Sequence, residues 1–139
     1  MTPIALTIAG SDPSGGAGIQ ADLKTFHQRG VYGMSVITLL TVQNTLGVAA
    51  VEPLAPRLIL AQLEAVLGDL PPQAAKTGAL GTVEIIEALA ERAAHFSFPL
   101  VVDPVMISKH GAPLLAEAAC ETLVRKLLPQ ATLVTPNIH

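Results

Sequence analysis

The alternation of two kinds of apolar segment constrains this chain more than any other feature. Short apolar runs bounded by turn residues take turns with longer stretches whose apolar residues recur at helical spacing. Residues Ile4 to Ala9 form the first run, stopped by Gly10-Ser11-Asp12-Pro13, and such a run reads as a buried strand. A glycine-rich loop follows, Ser14-Gly15-Gly16-Ala17-Gly18. Ile19, Leu23 and Phe26 then mark a helix that should end near Gly30, which accepts a left-handed cap at little cost.

The pattern repeats along the chain. Ser35 to Val42 read as a strand, Gln43 to Gly47 as a loop, and Val48 to Val51 as a short further strand. Pro56 opens a helix with the stripe Ile59, Leu60, Leu63, Val66 and Leu67. Ala74 to Leu80 is expected to be a short strand running into Gly81-Thr82. Thr82 is the expected N-cap of the next helix, with Glu84 in its first turn and Ile85, Ile86, Leu89 and Ala93 buried. Leu100-Val101-Val102 is a strand ending at Asp103-Pro104. A helix from about Pro113 to Leu128, closed by Pro129, and a last strand from Thr132 to Thr135 complete the reading.

Strand-helix alternation builds a mostly parallel sheet through right-handed crossovers, with helices on both faces. An α/β fold in one domain spanning residues 1–139 is therefore expected. The last strand has no following helix to cover it, so the fold is expected to be incomplete at the C-terminus. An edge strand that finishes the domain is the alternative.

Composition excludes several functions. Half of the 139 residues are hydrophobic and 14% are charged, which suits a sizeable core. The net charge is -3, with eight Lys and Arg scattered and in no basic run, so nucleic-acid binding has little to work with. No stretch approaches the roughly 20 apolar residues of a membrane span, and a soluble, cytoplasmic protein is expected. The lone Cys120 cannot form an intrachain disulfide, which fits a reducing compartment.

Three features could carry chemistry. Gly16-Ala17-Gly18-Ile19-Gln20-Ala21 matches the alanine-ended dinucleotide fingerprint. Residues 35 to 42 lack the acid that the fingerprint wants, and no Lys-Ser or Lys-Thr makes the loop a Walker motif. The loop is either a close approach to a ligand or a tight turn without one. Asp22 borders the buried stripe of its helix, so its carboxylate needs hydrogen-bond donors. A ligand amino group could supply them, or the residue could be a first-turn acid favoured by the helix dipole. Asp103 emerges at the carboxyl end of the most apolar strand, where it could hold a metal-bound phosphate or simply form an Asp-Pro turn. His27, His95, His110 and His139 make no metal spacing. Cys120, without a neighbouring base, reads as a small packing residue.

Taken together, the residues resemble a known family. The stretch from Ala5 to Lys24 is similar to the opening of hydroxymethylpyrimidine/phosphomethylpyrimidine kinases of thiamine biosynthesis. The similarity continues through Tyr32-Gly33, Ser35 to Thr38, Val42 to Thr45, Lys76-Thr77-Gly78, Val102 to Met106 and Leu133 to Asn137. The resemblance implies a three-layer α/β/α ribokinase-like fold. It implies transfer of the ATP γ-phosphoryl group, with Mg2+, to 4-amino-5-hydroxymethyl-2-methylpyrimidine and then to its monophosphate. By it, Gly10, Asp22, Gln43 and Val105 match positions lining the pyrimidine pocket. Asp103, as a metal residue, and Asn137, on the nucleotide side, fall near the magnesium-phosphate region. The resemblance also implies homodimers at full length. It implies a second half with a Gly-Thr-Gly helix start that supplies the anion hole, the catalytic base, a pocket cysteine and most adenine contacts.

No such segment occurs in these residues, so no catalytic residue is assigned here and the 139 residues alone are expected to be inactive. They are read as the N-terminal, substrate-binding part of a kinase domain. One departure stands inside the pocket: the family often carries Met where this chain has Ala79. A pyridoxine or pyridoxal kinase and a non-catalytic pyrimidine-binding module are the competing readings, with a nicotinamide-cofactor dehydrogenase more distant.

Overall fold

The computed structural model describes residues 2–105 and 117–137. Six strands form one sheet: β1 (Ile4–Ser11), β2 (Tyr32–Gln43), β3 (Val48–Pro53), β4 (Ala74–Thr77), β5 (Leu100–Val102) and β6 (Leu133–Val134). Their spatial order is β3-β2-β1-β4-β5-β6. Only β3 runs antiparallel, joined to β2 by a turn in which the Asn44 side chain accepts the Leu46 and Gly47 N–H groups at 2.9 and 3.1 Å.

The helices are α1 (Gly18–Gln28), α2 (Pro56–Asp69), α3 (Val83–Ala93) and α4 (Glu117–Thr122). Pro56 opens α2, and the Thr82 hydroxyl caps α3 by accepting the Ile85 N–H, both as their residue types predict. Because side chains alternate across a strand, each position belongs to one face of the sheet. Leu6, Ile8, Val36, Ala75 and Val102 share a face with Ile59 and Leu63 of α2, with the α3 stripe, and with Ala119 beyond them. Each fully buried Leu, Ile or Val there contributes about 1.5–3 kcal/mol. On the opposite face, among the described residues, α1 lies over β1 and β2, with Leu23 and Phe26 against Gly33 and Asp22 reaching Thr7.

The expected elements are present with altered ends. β1 carries on through Gly10 and Ser11, and its register with β2 slips between Ala9 and Ser11 in a bulge that bends the strand end. β4 stops at Thr77 instead of Leu80. The Ala79 carbonyl there accepts the Thr38 hydroxyl at 2.6 Å, which turns the chain away from the ladder. The start of the last predicted helix lies outside the described residues. Its described part widens at Leu123–Leu127, where the Leu128 N–H reaches back to the Leu123 carbonyl, and then tightens to a 3-10 turn at Leu128–Gln130. Pro129 thus opens a new turn, where its missing N–H is not needed, instead of ending the helix. Only two residues of the Thr132 to Thr135 segment, Leu133–Val134, pair as a strand. His27 and His95 are exposed near helix ends, and Cys120 packs against the core, as a small packing residue should; His110 and His139 lie outside the described residues. Among the described residues no helix is long and apolar enough to cross a membrane.

Candidate active-site cavity

The strand order reverses at β1: the chain first moves outward to β2 and β3, then returns past β1 to β4. In open α/β sheets this switch point leaves a crevice beyond the carboxyl ends of the strands, where ligands sit. A cavity of about 160 Å³ occupies that place. Gly10, Ser11 and Asp12 of the β1 end line it with Leu39, Thr41 and Gln43 of β2. Lys76, Gly78 and Ala79 come from β4 and the turn after it, and Asp103 and Val105 follow β5. A dry cavity of about 150 Å³ holds one benzene, so this one is sized for a single six-membered ring. A wider depression, about 630 Å³, runs along α4 and the turn beyond it, by Ala118, Cys120, Glu121, Val124 and Arg125. Among the described residues its lining belongs to one continuous helical stretch, with no polar groups converging from different elements.

The glycine loop is organised by a residue that the sequence reading treated only as a turn former. The Asp12 carboxylate accepts the Ser14 N–H and hydroxyl at 2.8 and 2.7 Å, the Gly16 N–H at 3.1 Å and the Ala17 N–H at 2.9 Å. Asp12 is only 2% exposed. Burial alone would raise its pKa, but the bonds from Ser14, Ala17 and Gly16 together outweigh it and hold the carboxyl below its ordinary value. Gln20 locks the same corner, accepting the Asp12 N–H and donating to the Ser11 hydroxyl, each at 2.8 Å. The Gly16 and Ala17 N–H groups, the donors a dinucleotide fingerprint would aim at a pyrophosphate, point at Asp12. The dehydrogenase reading fails on this geometry.

The loop also folds back onto β1. Gly18 has φ +57°, and a β-carbon there would lie 2.2 Å from the Gly10 carbonyl oxygen, so only glycine fits.

Behind the cavity lies a charged cluster. The Lys76 ammonium donates to both oxygens of Asp22, at 3.0 and 2.9 Å, and the Thr7 hydroxyl donates to one of them at 2.6 Å. Thr7 and Lys76 are register partners on the α1 face of the sheet, which is why a helix residue can bridge them. The two charged side chains are 25% and 18% exposed, so the pair is partly shielded. Asp103 stands nearby. Burial pushes its pKa up; the Lys76 charge partly offsets this, and the Asp22 charge adds to it.

Four of the residues singled out in the sequence thus line the cavity together: Gly10, Gln43, Asp103 and Val105. Asp22 does not line the cavity. Its carboxylate takes donors from inside the protein, the Lys76 ammonium and the Thr7 hydroxyl. Asn137 is exposed beyond β6 and does not line the cavity either. Lys76 and Asp12 were missed. A lysine in a short strand of small residues had to find a partner, and Asp12 followed by Ser14 is an Asx-turn pattern, so both signals were present.

The fold and cavity define an α/β domain with a one-ring cavity at the switch point of its sheet. The chain belongs to the phosphomethylpyrimidine kinase family, whose model matches residues 12–139. It is 56% identical over 135 residues to the hydroxymethylpyrimidine/phosphomethylpyrimidine kinase of Synechococcus elongatus, covering 97% of this chain and 51% of that protein. The crystal structure of phosphomethylpyrimidine kinase from Clostridium difficile superposes with a TM-score of 0.92 at 55% identity, over 99% of this chain and 60% of that one. The Staphylococcus aureus pyridoxal kinase solved with AMP-PCP and pyridoxal gives 0.84 at 42% identity, over 99% and 49%. The expected ribokinase-like fold is thereby confirmed. The chain spans about half the length of the curated relatives it matches.

Proposed function

We propose that these 139 residues form the substrate-binding part of a kinase that phosphorylates 4-amino-5-hydroxymethyl-2-methylpyrimidine and then its monophosphate, with ATP as donor. The single observation that carries this is the one-ring cavity at the switch point, in a chain more than half identical to hydroxymethylpyrimidine/phosphomethylpyrimidine kinases. Gln43, with one acceptor and two donors on its amide, suits the ring edge. Gly10 and Val105 wall the ring. Asn137 faces the nucleotide side, and Asp22 acts on the substrate only through Lys76.

Among the described residues no group of three or more His, Cys, Asp or Glu could hold a metal. A magnesium ion needs less from the protein, since one or two carboxylates plus substrate phosphates suffice. Asp103, a half-buried carboxylate on the cavity wall, fits that part. Magnesium would there neutralise phosphate charge. The chain's own residues hold and orient the acceptor, and positioning is most of what phosphoryl transfer requires. Homodimers and a cytoplasmic location at full length belong to the same proposal.

Calorimetric titration of the 139-residue chain with hydroxymethylpyrimidine should show binding, while a phosphotransfer assay of the same chain shows no turnover. Normal turnover by this chain, or no binding, overturns the reading. A pyridoxal kinase is the second reading, favoured by the structural match to the Staphylococcus aureus enzyme solved with pyridoxal. Competition between pyridoxine and hydroxymethylpyrimidine in the full-length kinase separates the two.

A further inference from the structure

Lys76 contributes an ammonium with three N–H donors. Two are taken by the oxygens of Asp22, at 3.0 and 2.9 Å. Lys76 lines the cavity and Asp22 is not among its lining residues, so a ligand in that space can reach the ammonium from the side away from the carboxylate. Among the described residues lining the cavity, Lys76 is the only cation. Its partner is held independently, since the Thr7 hydroxyl binds Asp22 at 2.6 Å whether or not Lys76 does. An ion pair arranged in this way can give up part of its pairing to an incoming anion without leaving the carboxylate stranded.

We propose that Lys76 is the side chain through which the cavity holds the phosphate of a phosphorylated acceptor, with Asp22 and Thr7 positioning it. The inference rests on the kinase reading above and deepens it: it assigns acceptance of the monophosphate, as distinct from the free alcohol, to one residue. The alcohol offers Lys76 a single neutral oxygen. The phosphomonoester offers charged oxygens, so the ammonium gains a charge–charge attraction that the neutral alcohol cannot supply. Asp103 beside the same cation makes the wall net negative, so magnesium would favour the phosphate arm further.

The test is equilibrium binding of hydroxymethylpyrimidine and of its monophosphate, with and without Mg2+, to four forms of the chain: wild type, Lys76→Met, Lys76→Arg, and Lys76→Met combined with Asp22→Asn. The double variant removes both charges together and guards against a fold weakened by an unpaired Asp22. Expected for Lys76→Met and for the double variant is a loss of monophosphate affinity at least tenfold greater than the accompanying loss of alcohol affinity. Lys76→Arg should recover most of the loss, and the wild-type preference should weaken with added salt. An equal loss for both ligands, or no loss in the double variant, overturns the proposal while leaving the kinase reading standing. Wild-type chain that binds neither ligand overturns the kinase reading and this inference with it.

Discussion

The Ala17 N–H donates to the Asp12 carboxylate at 2.9 Å, so the glycine loop closes on a side chain of its own. That bond and its companions from Ser14 and Gly16 fix where β1 ends and where the cavity wall begins. Hydrogen bonds to a charged group contribute about 1.5–3 kcal/mol each, and not additively. Asp12→Ala should cost about 3 kcal/mol by urea unfolding. Hydrogen exchange should accelerate at residues 14, 16 and 17 well before it does in the core of α3. Unchanged exchange in the loop would contradict this assignment.

Asp12 and Asp103 should respond to pH in opposite senses. The Asp12 carboxyl is held below its ordinary value, so its contribution to stability is complete above that value and is lost as pH falls through the folded pKa. Asp103 is pushed up, chiefly by burial. Its ionisation therefore weakens the fold as pH rises through the folded pKa, and the penalty vanishes below the ordinary carboxylate value. Thermal melts across pH check both. Asp103→Asn should melt higher than wild type at neutral pH, with the gap closing in acid. Asp12→Asn should melt lower at neutral pH, with its gap also closing at the acid end.

Thr77 sits on β4, 1% exposed, and its hydroxyl is the sole buried side-chain polar atom without a partner among the described residues. Its register partners are Ile8 and Val102, both apolar, so neither side chain beside it on the ladder can accept or donate. Leaving a buried hydroxyl unsatisfied costs about 1–3 kcal/mol, and replacing it by a methyl removes that cost. Thr77→Val should raise the melting temperature and stabilise the chain by about 1 kcal/mol. A lower melting temperature would mean that the hydroxyl has a role in the native state.

Local signals carried most of the fold. The apolar run at Ile4 to Ala9, the proline at 56 and the threonine cap at 82 each act through neighbours in sequence, so β1, α2 and α3 were readable. The misses came from contacts between distant residues. β4 stops early because Thr38 holds the Ala79 carbonyl across a sequence separation of 41 residues. Asp22 was singled out as an acid in need of donors, but its donors, Thr7 and Lys76, lie on two strands that become neighbours only once the sheet has formed. The cavity wall at Gly10, Gln43, Asp103 and Val105 came through resemblance; spacing alone left Asp103 open between a metal residue and a turn.

The cavity floor offers a sharper test of the site than any single truncation. A β-carbon at Gly10 would lie 2.5 Å from Leu39 Cδ1 and 3.7 Å from Ala79 Cβ, so these three residues meet below the ring space. Leu39 is fully buried and cannot swing aside freely. Overpacking of this kind costs about 1–3 kcal/mol, so Gly10→Ala should fold with reduced stability and lose hydroxymethylpyrimidine affinity by tenfold or more. Truncating the neighbour relieves the clash: Leu39→Ala in the Gly10→Ala background should regain a measurable part of the affinity. Gly18→Ala has no such remedy, because the obstacle there is the Gly10 carbonyl and the backbone already stands at φ +57°. Titration of the three variants beside wild type decides the matter. Rescue in the double variant places the ring against Gly10, and its failure removes the ring from this floor.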